Sequence, residues 1–362
     1  MFVSCECGPR LLMIGFPCAA SSSAAHTQRR ERQPSRLTSK LQSGWEHVAR
    51  VRLGGNWLEC KRDTQMSINW QNSPLPGVKA WDNLGAWGVC MQSASPDFVQ
   101  LKSNMKASWM AGDFGQIANF TVEAAEEFIA RTPIPPGTRV LDVACGTGNT
   151  AIPAARAGGL VTGVDIAPNL LEQARKRAAT EHLQIRFQEG DAEQLPVGDD
   201  EFEVVLTMFG AMFAPRPERV AAEFIRVCRP GGLIAMANWT PEGFVGKSFQ
   251  INAEMVPPPA GIPAPTLWGK QQVVRQRFAN GTSKLSLTRH KAVFDYPFSP
   301  REVVGFFRQY FGPTQATFSR LDQKGQTELA SRLESLWTEH NTANDGRTRV
   351  EAEYLDVRAI RA

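Results

Sequence analysis

The chain has 362 residues, 42% hydrophobic and 21% charged, enough apolar material for one large core or two modest ones, which excludes a mini-protein and a wholly disordered chain. The formal net charge of +4 divides into +5 over residues 1–104 and −1 over the rest, so the charge gives no support to a nucleic-acid surface on the body, and no nucleic-acid partner is expected. The longest apolar run, Leu11 to Ala20, is about half of the roughly 20 residues a membrane-spanning helix needs and contains Pro17, so no membrane span is expected.

Residues 1–104 mix Ser, Arg, Gln, Gly and Pro with five scattered tryptophans and lack sustained helical or alternating periodicity. They read as a poorly ordered extension or a misassigned start, with the functional protein beginning near Met105. Arg10 and Glu6 make a poor basic leader before the apolar run, and no apolar run follows Arg29-Arg30, so neither a secretory nor a twin-arginine address is expected. Five of the seven cysteines lie in this stretch at irregular spacings. Cys145 and Cys228 alone remain in the body and read as small packing residues of a protein in a reducing cytoplasm.

From Met105 the pattern becomes regular. Phe120 to Arg131 is an amphipathic helix closed by Pro133, Pro135 and Pro136. Strands are predicted at Arg139–Val143, Leu160–Asp165, Ile185–Glu189, Glu203–Thr207 and Leu233–Asn238, with helices at Thr150–Ala157, Pro168–Thr180 and Pro217–Cys228. Strands alternating with helices over short connections require parallel pairing with right-handed crossovers, an α/β doubly wound sheet. The core is placed at about 138–240. The Pro- and Gly-rich stretch at about 241–282 reads as a lid or crossover, and 283–362 as two strands flanking a helix at Arg301–Tyr310.

The strongest signal is Asp142-Val143-Ala144-Cys145-Gly146-Thr147-Gly148-Asn149, where a strand runs into two glycines and then a helix. Bare backbone there lets a nucleotide-like ligand approach closely at the point where strand order reverses. Gly146-x-Gly148-x-x-Ala151 also satisfies the dinucleotide fingerprint, so the glycines alone leave a dehydrogenase open. A carboxylate able to take both ribose hydroxyls, Asp165, ends the second strand, though the same residue could instead cap the following helix. Asp191 follows the third strand, where an adenine edge would lie, or else serves a turn.

Together with the turn Arg229-Pro230-Gly231-Gly232, this order resembles the class I S-adenosylmethionine-dependent methyltransferases, most closely the small-molecule branch related to the ubiquinone and menaquinone biosynthesis enzymes. The resemblance covers about residues 105–362. It implies a Rossmann-like seven-stranded sheet with the last strand antiparallel, and S-adenosyl-L-methionine as cofactor. Asp142, Ala144, Gly146 and Gly148 would line its methionine and ribose part, Asp165 would hold the ribose, Ile166 would pack on the adenine, and Asp191 with Ala192 would meet the adenine amine. Trp109 to Ala118 resembles the element that closes over the cofactor, with Asp113 and Gln116 as its polar candidates.

After the fourth strand the family often carries polar or histidine residues, whereas this chain has Met208, Phe209 and Phe213, which implies an apolar pocket for a small acceptor or simply core. Trp239, Phe244 and Trp268 are further candidate walls. No general base is placed by spacing, and the run Asp199-Asp200-Glu201 reads as a solvated turn, so no metal is expected. In-line methyl transfer depends mainly on alignment and exclusion of water, so a base is optional. A short-chain nicotinamide oxidoreductase would need Tyr-x-x-x-Lys, but Tyr296, Tyr310 and Tyr354 are followed at the fourth position by Pro300, Thr314 and Arg358. A non-catalytic S-adenosylmethionine sensor stays open at this level.

Overall fold

The computed structural model describes residues 96–362 throughout and, before them, the backbone of four strands, in two compact units, Met1–Met91 and Gln92–Ala362. In the first unit β1 (Phe2–Cys7), β2 (Arg10–Gly15), β3 (Ala49–Leu53) and β4 (Asn56–Cys60) form an antiparallel sheet in the order β2-β1-β3-β4. Each strand has only five or six residues, too short to give the sequence a sustained alternation. The reading of this stretch as poorly ordered, or as a misassigned start, falls for residues 16–48 and 61–95 outside the described residues.

The second unit opens with α1 (Phe98–Met110), whose Asp97 carboxylate accepts from the Val99 and Gln100 backbone N–H groups. The boundary drawn at Met105 falls inside this helix. After α2 (Phe114–Ala118), a 3-10 turn and α3 (Val122–Ala130), the chain alternates: β5 (Arg139–Val143), α4 (Ala151–Arg156), β6 (Leu160–Asp165), α5 (Pro168–Thr180), β7 (Arg186–Glu189), β8 (Phe202–Met208), α6 (Pro217–Val227) and β9 (Cys228–Trp239). These match the sequence reading to within a few residues except at the start of β9. There Arg229–Gly232 forms a bulge between the pairs Phe202–Cys228 and Val204–Leu233, with Gly231 at φ +74°. Proline at the first helical position of α5 and α6 fixes φ where an N–H would be unpaired anyway.

The region read as a lid holds α7 (Phe244–Met255) and α8 (Gln271–Arg277). Beyond it lie β10 (Thr282–Tyr296), α9 (Pro300–Tyr310), α10 (Gly312–Ser319), α11 (Gln323–His340) and β11 (Thr348–Arg361). The sequence reading passed over α10 and α11. Almost no face of α10 is apolar enough to betray it, whereas the α11 stripe Leu329, Leu333, Leu336, Trp337 is legible at helical spacing and buried.

The seven strands order as β10-β11-β9-β8-β5-β6-β7. Strands β5 to β9 pair in parallel, and β11 inserts antiparallel between β9 and β10, as the resemblance implies. The order reverses between β5 and β8, so a crevice opens at the carboxyl ends of these strands. Helix α1 crosses that end and meets α10 through backbone: a Cβ on Gly312 would stand 1.7 Å from the Ser108 carbonyl oxygen, so only glycine permits the approach. Asp113 N–H donates to the Tyr310 carbonyl (3.1 Å), fixing the turn between α1 and α2 against α9.

Candidate functional site

The turn out of β5 is left-handed at Ala144 (φ +55°), Gly146 (+53°) and Gly148 (+86°), and Gly148 N–H closes it on the Cys145 carbonyl at 2.9 Å. For an alanine this conformation costs about 1–2 kcal/mol, so the loop is held by its surroundings. Asp165 supplies much of that hold: one oxygen accepts from Gly146 N–H (2.8 Å) and the other from Ala167 N–H (2.9 Å). Burial pushes its carboxyl pKa up against the pull of these backbone donors. Each oxygen keeps a lone pair, so the capping and ribose readings are compatible. A Cβ built on Gly146 would meet only the Phe114 ring, at 3.8 Å, which leaves the loop face open to a ligand.

Asp142 is fully buried beneath this loop. Its Oδ2 accepts from the Thr150 hydroxyl (2.6 Å), while Oδ1 has no hydrogen-bond partner. Burial, opposed by the Thr150 bond and reinforced by the nearby Asp165 charge, raises its pKa to about 7.

A cavity of about 790 Å³ runs from this loop under α1 and into the aromatic region beyond β8. Ala144, Gly146, Asp165, Ile166, Asp191 and Ala192 line one part of it, and Met208, Phe209, Phe213, Trp239 and Phe244 line another. The other sequence candidates lie off its walls. Asp142 and Gly148 sit behind the loop that they shape. Asp113 caps α2 through Gly115 N–H and accepts from Gln173 Nε2 (3.0 Å), and Gln116 donates to Asp113 (3.2 Å), so both fasten the segment instead of facing the cavity. Trp268 is wholly buried outside the lining, with the Arg277 guanidinium 4.3 Å from its ring centroid. From that segment the apolar Trp109 and Phe114 face inward instead, because its polar side chains are spent on capping.

Asp191 is already engaged. Its Oδ1 accepts from Glu193 N–H (2.9 Å), and its Oδ2 pairs with the ammonium of Lys102 on α1. Lys102 also pairs with Glu193 (2.5 Å), whose wholly buried carboxylate takes Arg216 Nε (2.6 Å) and Arg216 N–H (2.7 Å) as well. Lys102 was not visible as a site residue in the sequence because it is 89 positions from Asp191.

The rest of the lining is uncharged, with an aromatic cluster among aliphatic residues and the neutral polar side chains of Ser248, Gln250 and Asn252. Phe209 adopts φ +63° and lies flat on Trp239, centroids 3.5 Å apart and planes 9° off parallel. A left-handed phenylalanine is a strained residue, and here it aims the ring into the cavity. Among the described residues, Lys102, Asp165 and Asp191 are the only charged side chains on the lining, and no histidine reaches it.

Tyr296 adds an unexpected group. Its ring borders the cavity among Phe120, Phe294 and Trp337, and its buried hydroxyl has no hydrogen-bond partner. An unpaired buried hydroxyl is costly, so Tyr296→Phe is expected to stabilise the ligand-free protein by about 1 kcal/mol, roughly 2–4 °C in a thermal melt. A lowered melting temperature would show that the hydroxyl is partnered.

The remaining expectations resolve simply. Asp199 pairs with Arg226 (2.7 Å), Asp200 with Arg361, and Glu201 accepts from Gly198 N–H, so the acidic run is a surface turn. Cys145 and Cys228 are buried free thiols, the latter with its pKa pushed up to about 12 by burial. Among the described residues no helix is long and apolar enough to cross a membrane.

Residues 140–232, the half-sheet that carries the loop, match the family model described as a methyltransferase domain. An uncharacterized protein of Mycobacterium tuberculosis, Rv1403c, is 41% identical over 207 residues, 57% of this chain and 76% of that protein. A second from the same organism, Rv1405c, is 34% identical over 259 residues, covering 70% of this chain and 93% of its own length. The demethylmenaquinone methyltransferase of Deinococcus radiodurans is 37% identical over 142 residues, 38% of this chain and 57% of that enzyme. With the sheet order, the glycine loop and these matches in agreement, the chain belongs to the class I S-adenosylmethionine-dependent methyltransferases.

Proposed function

We propose that the enzyme methylates a small, uncharged, apolar or aromatic acceptor held against the Phe209–Trp239 stack. The observation that carries this reading is the cavity lining: charge is confined to Lys102, Asp165 and Asp191, and the wall beyond Met208 is mostly aromatic and aliphatic, its polar groups being the neutral side chains of Ser248, Gln250, Asn252 and a few threonines. Such a wall favours apolar surface and leaves a charged acceptor without a partner for its desolvated charge.

The residues present fit the methyl donor. Gly146 offers an open backbone face, Asp165 keeps a lone pair on each oxygen for ribose hydroxyls, and Ile166, Asp191 and Ala192 border a slot for the adenine. The unpartnered Asp142 oxygen is buried beneath the loop, where its charge would favour a cationic donor. S-adenosylmethionine, when bound, supplies a sulfonium methyl that an acceptor lone pair attacks in line, the carbon–sulfur electrons remaining on a neutral thioether. The chain's part is to align and to dry. Trp109 and Phe114 roof the site, Phe209 and Trp239 set the angle of approach, and the aromatic wall excludes water. The proton released from a hydroxyl or amine acceptor leaves to solvent.

The catalytic body is taken as 97–362, since α1 supplies Lys102, Met105 and Trp109 to the cavity. A reducing cytoplasm suits the free Cys145 and Cys228. Similarity to a demethylmenaquinone methyltransferase puts hydroquinones and naphthoquinols first among acceptors. The test is S-adenosylhomocysteine formation with a panel of neutral phenols, hydroquinones and naphthoquinols beside carboxylated and phosphorylated analogues. Turnover confined to the charged analogues would refute the acceptor reading.

A further inference from the structure

Helix α1 buries none of its thirteen residues, although Met105 and Trp109 look into the cavity. Its C-terminal end is held by Trp109, edge-on to Phe114, Phe213 and Phe311, and by the close approach of Ser108 to Gly312, whereas its middle is fastened by charge: Lys102 to Asp191 and Glu193, and Lys106 to Glu189. All three carboxylates lie in or just after β7, on the rim where the adenine slot opens. We propose that Lys102 is a positioning residue for the methyl donor, locking α1 over the adenine slot and fixing Asp191 in the orientation that meets the adenine amine. The proposal rests on the cofactor placement given above.

The geometry separates locking from competition. Lys102 takes one lone pair of Asp191 Oδ2, Glu193 N–H takes one of Oδ1, and a carboxylate has about four such sites, so an acceptor position remains for the cofactor. Both Lys102 and Glu193 are shielded, with side-chain exposures of 17% and 0%, so the pair is screened less than a surface pair and its loss leaves a buried carboxylate with Arg216 alone. The bound donor would in turn fill the space under Met105 and Trp109 and add to the apolar contacts of α1.

The experiment is S-adenosylmethionine binding to the full chain by calorimetry, and its dissociation by stopped-flow fluorescence, for wild type, Lys102→Met, Lys102→Arg and Asp165→Ala at low and high salt. Lys102→Met is expected to weaken binding about tenfold, mostly through faster dissociation, with arginine restoring most of the loss. Salt should speed release from wild type more than from Lys102→Met, through the partly exposed Asp191 end of the lock, whereas a residue that acts only on folding would leave the two salt responses equal. Wild-type affinity and release in Lys102→Met, with binding lost in Asp165→Ala, would overturn this proposal and leave the cofactor site standing. Wild-type binding in Asp165→Ala would remove the cofactor placement itself. Tighter binding by Lys102→Met would mean that the ammonium competes with the cofactor, which also overturns the proposal. If Lys102→Met does not fold, Glu189→Gln decides, since it breaks the neighbouring pair off the cavity wall: release faster than wild type supports the lock, and release indifferent to it and to salt overturns the lock.

Discussion

Replacing Asp165 with alanine is expected to weaken S-adenosylmethionine binding by about 10²–10³-fold, the equivalent of roughly 3–4 kcal/mol. Two contributions converge in one side chain. Hydrogen bonds from ribose hydroxyls to a carboxylate are charge-assisted and lie in a shielded site, each contributing about 1.5–3 kcal/mol. The same carboxylate holds Gly146 N–H at 2.8 Å and Ala167 N–H at 2.9 Å, so its loss also frees the left-handed loop that the donor must lie against. Asp165→Asn keeps the volume and one acceptor oxygen, and is expected to fall between wild type and alanine. Calorimetric titration of the three proteins, with a thermal melt of each to separate folding from binding, checks the order. Equal affinities would show that Asp165 is a cap and nothing more.

The second large effect is a dependence of stability on pH carried by Asp142. Its folded pKa of about 7 lies above the ordinary 3.8, so the folded state holds the proton more tightly than the unfolded chain does. The stability this group contributes is therefore complete below the unfolded value and is lost as pH rises through about 4 to 7. The full span is on the order of 4 kcal/mol. Asp165, raised by burial in the same direction, adds to the trend. Glu203, held down to about 2 chiefly by its hydrogen bonds to Arg139, works in the opposite sense but only below the ordinary glutamate range, outside this window. Ligand-free protein is thus expected to be more resistant to urea at pH 5 than at pH 8, and Asp142→Asn to flatten most of that difference. Binding of a cationic methyl donor near this carboxylate favours its ionised form, so wild type should release protons on binding near pH 7, measurable as a dependence of calorimetric enthalpy on buffer. The asparagine variant should release fewer. A stability that rises from pH 5 to 8 would contradict the burial of an unpaired Asp142 oxygen.

Much of the fold was legible along the chain, and the reason is local. Parallel strands buried on both faces read as short apolar runs, as in Arg139–Val143 and Leu160–Asp165, and the proline starts of α5 and α6 mark their helices. The loop glycines and Asp165 were legible because a left-handed turn after a strand and a carboxylate at the next strand's end demand fixed residue types within a short stretch. The surroundings of the closing segment's polar residues were not legible, for the opposite reason. Asp113 and Gln116 look available in a sequence, and only their neighbours Gly115 N–H and Gln173 show that they are consumed in fastening α2.

What the chain determined by itself is the doubly wound sheet and the glycine loop with its carboxylate at the end of the second strand, both of which follow from short-range patterns of burial, turn and charge. What the tertiary structure alone decided is which distant side chains meet. Lys102 reaches Asp191 across 89 positions, Tyr296 arrives at the cavity from β10, and Trp268 turns away into the core behind it. Phe209 stands against Trp239 in a left-handed conformation that no propensity would assign to it. Contacts between elements depend on how whole helices and strands pack, and a single sequence carries no local signal for them.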